Sequence, residues 1–73
     1  MKAIEISIEN LEAAIWFASN ETIYKLMKKY GIEKYEGIET ARILAECIYV
    51  NLPTNNVDYS EQLDFVRKEM RSL

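Results

Sequence analysis

The sequence predicts an all-α fold, a small bundle of three to four short helices, with a short N-terminal β-strand as an open alternative for the lead-in. Three observations carry that expectation. Apolar residues recur about every 3.6 residues in segment after segment. Between those segments stand residues that start or stop helices: Ser7, Asn10, Ser19, Asn20, Gly31, Asn51, Pro53 and Asp58. The chain has 73 residues, 49% of them apolar, which suits a single domain over residues 1–73. A chain this short buries only roughly 60% of the surface its unfolded form exposes. Cys47 is the only cysteine, so no disulfide within the chain can reinforce the core. Good helix packing, or a second chain, must do so.

The lead-in reads two ways. Ile4, Ile6 and Ile8 alternate with Glu5, Ser7 and Glu9, the period-two pattern of a strand over residues 3–8. Such a strand would need a second copy of the protein to pair with. Otherwise the segment simply leads into a helix that starts at Ser7 or Asn10, whose short polar side chains can bond the free N–H groups of a first turn. Leu11, Ala14, Ile15 and Ala18 then form one apolar stripe, and Ile23, Leu26, Met27 and Tyr30 form another. On one straight helix over residues 10–30 these stripes would be offset by about 100°. The offset falls at Ser19 and Asn20, both good helix starters. Two short helices broken there are favoured over one long helix with a twisting face. Gly31 ends the second, because glycine enters the left-handed conformation freely and Ile32 can fold back onto Met27. Lys28 and Lys29 suit the negative end of that helix.

The third helix is expected from Gly37–Ile38 to Val50. Its stripe is Ile38, Ala41, Leu44, Ala45, Ile48 and Leu52, with Asn51 and Pro53 as its stop. After the loop Pro53-Thr54-Asn55-Asn56, Asp58 caps the last helix and Glu61 takes the reciprocal capping position. Tyr59, Leu63, Val66, Met70 and Leu73 make its stripe.

Charge narrows the functional classes. Nine basic residues face 12 acidic ones, a net charge of −3. That balance disfavours phosphate backbones and anionic lipid surfaces. No stretch approaches the ~18 apolar residues of a membrane span. The N-terminus has no signal-peptide core, so a cytoplasmic location is expected. The charge is banded: Lys25, Lys28, Lys29 and Lys34 cluster, whereas Glu36, Glu39, Glu46, Asp58, Glu61 and Asp64 follow with only Arg42 among them. Solvated helix faces are the plain explanation of these bands.

Chemistry finds little to work with. There is no histidine, which removes the usual general base near neutral pH and a common zinc ligand. Cys47 sits mid-helix with no activating base nearby, so it reads as a packed thiol. The pairs Glu9/Glu12 and Glu36/Glu39 read as solvated faces, and no calcium-loop spacing is present. The two glycines, six residues apart, make no phosphate-cradling loop. No enzyme activity, cofactor or metal is expected.

Two binding readings remain. Leu26-Met27-Lys28-Lys29-Tyr30-Gly31-Ile32 resembles the middle of a helix-turn-helix, which would make Lys25–Lys34 the core of a small DNA-binding regulator. Gly37 falls where the following helix should carry an apolar anchor, and Glu33, Glu36 and Glu39 would repel phosphates. The other reading starts from aromatics. Trp16 and Phe17 are adjacent, so one narrow face cannot bury both. Tyr24 and Phe65 also stand off their helices' stripes. Either a broken helix turns these groups inward, or they form an interface, where such residues are enriched. The leading expectation is therefore a non-catalytic protein-interaction module, with Trp16, Phe17, Tyr24, Phe65, Glu36, Glu39 and Glu46 as partner-binding residues. Its partner is another protein or a second copy in a homodimer. A narrower form is a small acidic inhibitor, of the phage or mobile-element type, that lays its carboxylates into the basic channel of a nucleic-acid-handling enzyme.

Overall fold

A computed structural model describes residues 4–71. Among these residues four helices follow one another: α1 (Ile8–Trp16), α2 (Asn20–Tyr30), α3 (Ile38–Val50) and α4 (Tyr59–Arg71). The main interface is that of α1 with α3; α2 touches α3 and also carries α4.

The lead-in forms no strand among the described residues 4–8, and Ala3 lies outside them. Ile6 is buried in the core, flanked by the partly buried Ile4 and Ile8. The Glu5 backbone N–H donates to Gln62 Oε1 of α4 at 3.3 Å. A side chain thus takes the donor that a strand ladder would otherwise need.

Ser7 caps α1, its Oγ accepting from the Asn10 N–H at 3.1 Å. The chain then breaks where the stripe offset places it. Ser19 is extended, and its Oγ accepts from the Thr22 N–H at 3.2 Å to start α2. The break lets Ile15 and Ile23 both enter the core, which the phase of one straight helix would not allow. Gly31 closes α2 at φ 73°. Its N–H donates to Lys28 O and that of Ile32 to Met27 O, the paired bonds of a Schellman ending.

In α3 the buried residues are Thr40, Ala41, Leu44, Ala45 and Ile48, and Leu52 follows just past the helix. Thr40 Oγ1 accepts from the Glu36 N–H at 2.7 Å, so its hydroxyl is satisfied inside. Ile38 departs from expectation and is 58% exposed. It stands on the first turn, at the edge of the buried arc. At the other end Asn51 Nδ2 donates to Cys47 O at 2.8 Å.

Asp58 caps α4, accepting from the Glu61 N–H at 3.0 Å and the Ser60 hydroxyl at 2.8 Å. The inward face of α4 is turned from the expected stripe. Gln62, Val66 and Glu69 are buried, Leu63, Phe65 and Met70 are partly buried, and Tyr59 is exposed. Leu73 lies outside the described residues. The rotation follows from two polar side chains that have partners inside. Gln62 Nε2 donates to Pro53 O at 3.1 Å while its Oε1 accepts from Glu5. The Glu69 carboxylate accepts from Lys29 Nζ and the Tyr30 hydroxyl, fastening α4 to the end of α2. Burial raises the Tyr30 phenol well above its ordinary pKa, and the adjacent Glu69 carboxylate, as hydrogen-bond partner and as charge, raises it further.

Candidate functional site

The break after α1 decides what that helix displays. Ile15 is fully buried, so Trp16, about 100° further round the axis, cannot follow it inward. Phe17, the first residue past the helix, is 84% exposed, and Trp16 is 45% exposed. Beside them lies Ile38 from the start of α3. Together with Glu9, Glu12 and Ala13, these residues line one shallow concavity that runs along α1 to the start of α3.

Arg42 of α3 organises the carboxylates along this seam. Its Nη1 lies 3.4 Å from Glu12 Oε1 and 3.7 Å from Glu9 Oε2, and its Nε lies 3.3 Å from Glu46 Oε1. Its pKa is raised, first by the hydrogen bond to Glu46 and then by Glu12 against a desolvation that lowers it. One cation thus serves three anions, and the seam keeps a negative balance next to the exposed indole.

The other sequence-expected residues do not join this group. Tyr24 is exposed on α2 and faces Tyr35, their ring centroids 6.3 Å apart at a 58° tilt. Phe65 packs partly against the core, because the buried face of α4 runs through Gln62, Val66 and Glu69 rather than along the expected stripe. Glu36 pairs with Lys34 at 3.3 Å. Glu39 and Glu46 point outward from α3, Glu46 holding Arg42. The concavity brings in Glu9, Glu12 and Ile38 instead. Sequence spacing assigned those three to a solvated face or to the core, and nothing local marks a contact between residue 12 and residue 42.

Neither DNA binding through the lysines nor thiol chemistry finds support in the geometry. The Lys25–Lys34 segment is largely committed within the protein. Lys25 pairs with Glu21 at 3.2 Å, Lys29 with Glu69 and Lys34 with Glu36. The Cys47 thiol is partly buried, and burial, with the Glu46 charge, pushes its pKa up. That favours the protonated thiol, the poorer nucleophile. Among the described residues no three acidic or thiol side chains are placed to hold one metal ion, and no helix is long and apolar enough to cross a membrane. Compared with known proteins, the chain matches no family model, no curated protein and no solved structure.

Proposed function

We propose that this protein is a non-catalytic interaction module that docks a basic protein surface against the Trp16–Phe17–Ile38 concavity. The observation that carries the reading is the exposure of these three large apolar side chains side by side, edged by Glu9 and Glu12. The core is complete without them. Exposed clustered apolar groups of this kind mark interaction sites, and tryptophan and other aromatics anchor interfaces. The carboxylate edge and the net charge of −3 favour a cationic partner and would speed its approach. The narrower form, an acidic inhibitor seated in the basic channel of a nucleic-acid-handling enzyme, draws support from the outward Glu39 and Glu46 on the same helix α3.

The test compares tagged wild-type protein with Phe17→Glu in affinity capture from the native cell or host, with and without nuclease. Phe17 is so exposed that the variant should keep its helicity. A stoichiometric protein that survives nuclease and is lost from Phe17→Glu supports the reading. Retention of nucleic acid would instead favour the Lys25–Lys34 segment. Equal capture by both proteins would remove the Trp16–Phe17 face from consideration. A wild-type dimer that Phe17→Glu dissolves would make the partner a second copy. Glu39→Gln with Glu46→Gln should flatten the salt dependence of binding if the inhibitor form holds.

A further inference from the structure

We infer that the concavity receives an arginine side chain of the partner, stacked on the Trp16 indole and held by Glu9 and Glu12. This rests on the docking reading above and names the chemistry of its occupant. The protein's own Arg42 shows what these carboxylates do with a guanidinium. They approach it at 3.4 and 3.7 Å from α1, while Glu46 meets its Nε at 3.3 Å along α3. Each of these contacts engages a single oxygen of its carboxylate, and a carboxylate can accept up to about four hydrogen bonds. Acceptor capacity and two negative charges therefore remain after Arg42 is served. Glu9 and Glu12 line the same concavity as Trp16, so a second cation entering there meets both a carboxylate edge and an aromatic face.

Arginine fits this combination better than lysine. Its guanidinium is planar, weakly hydrated and able to stack on an indole while its N–H groups fork toward carboxylates. Lysine offers a compact, strongly hydrated charge that gives up more on leaving water. Phe17 and Ile38 beside the indole supply apolar contact for residues flanking the arginine.

The experiment uses an intrinsic reporter. Trp16 is the chain's only tryptophan, so its emission reads this concavity. The probes are a short amidated peptide with arginine and leucine one helical turn apart, a twin with citrulline in place of arginine, and a twin with lysine. Citrulline keeps the shape and loses the charge. The arginine peptide should change Trp16 emission saturably. The citrulline twin should bind at least roughly fivefold more weakly, the low end of the combined size of a cation–π contact and two exposed ion pairs. The lysine twin should fall between them. Glu9→Gln with Glu12→Gln should bring the arginine peptide down to the citrulline level. Where the double variant loses helicity, Glu9→Gln alone should give a smaller loss in the same direction. Glu33→Gln removes one negative charge at a residue that does not line the concavity, and should leave binding unchanged.

Equal affinity for the arginine and citrulline peptides, or a lysine twin as tight as arginine, would overturn the inference. So would a Glu33→Gln loss equal to that of the double variant, since the effect would then be one of net charge rather than of the concavity. If no peptide moves the emission while Phe17→Glu still loses a captured protein, the arginine inference fails and the docking reading stands. If capture is indifferent to Phe17→Glu, the docking reading itself fails.

Discussion

Gln62 should be the residue that sets how firmly α4 is held, and replacing it with leucine tests that directly. The side chain is 1% exposed. Its amide nitrogen donates to Pro53 O at 3.1 Å and its oxygen accepts from the Glu5 N–H at 3.3 Å. One side chain therefore ties α4 to the loop before it and to the N-terminal lead-in. Leucine keeps comparable volume and removes both bonds. Each such bond contributes about 1 kcal/mol net. Glu5 is exposed and Pro53 partly so, so water can recover some of what is lost, and leucine gains from its own burial. The expected net loss is about 1–2 kcal/mol, out of a total stability of about 4–11 kcal/mol for a chain of this length. In a domain this small it should lower Tm by roughly 5–15 °C. Urea titration followed by far-UV circular dichroism gives the free energy. Amide exchange at Glu5 should accelerate in the same variant, because its acceptor is gone. A Gln62→Leu protein as stable as wild type, with Glu5 still protected, would refute the idea that polar anchoring rather than apolar packing fixes α4.

Alkaline pH should act through Tyr30. Its phenol is raised in the folded protein, so the unfolded chain releases that proton first, near pH 10. Stability from this group is fully present below about pH 10 and is lost as pH rises from there toward the folded value. Tyr30→Phe should be about 1 kcal/mol less stable at neutral pH through loss of the bond to Glu69, and its alkaline slope should be shallower. Denaturant titrations at several pH values check both. Gly31→Ala should cost about 1 kcal/mol, because its φ is positive while no atom stands within 4 Å of the added methyl; a neutral result in thermal melts would count against strain at this turn. Ser19→Ala should cost about 1 kcal/mol as a lost helix cap, read as a lower urea midpoint. Phe17→Glu should lie within about 0.5 kcal/mol of wild type, and a larger loss in the same titration would mean that Phe17 serves the core.

Much of the fold is legible because apolar periodicity reports the core directly. Leu11, Ile15, Ile23, Leu26, Met27, Ala41, Leu44, Ala45, Ile48, Leu52 and Val66 fall on the expected stripes and are buried. The break at Ser19 is legible for a related reason, since two stripes out of phase cannot share one core. The same logic misplaces α4. Gln62 and Glu69 look like surface residues in any hydropathy pattern. They are inside because Pro53, Glu5, Lys29 and Tyr30 supply partners, and those partners lie nine to 57 residues away. Ile38 fails in the opposite direction, since its spacing matches the α3 stripe but its place on the first turn leaves it uncovered. The alternation Ile4-Ile6-Ile8 is real, but here it inserts Ile6 beneath α4 rather than building a ladder.

The proposed docking surface is partly legible for a similar reason. Adjacency alone shows that Trp16 and Phe17 cannot both accompany Ile15 inward, so sequence implies one exposed aromatic and leaves open whether the helix break turns the other inward; in the structure both are exposed. What the pair stands beside does not follow from sequence. Glu9 and Glu12 reach Arg42 across the α1–α3 interface, over a separation of 30 residues in the case of Glu12, and that interface is fixed by Leu11, Ile15, Ala41, Leu44, Ala45 and Ile48 rather than by the charges. The core therefore sets the register, and the register brings the acids and Ile38 around the indole. A change that shifts α1 along α3 should disturb the concavity even when it leaves every residue of the concavity intact. For that reason substitutions at Phe17 are the cleaner probe of partner binding, since they alter the surface without moving the helices that present it.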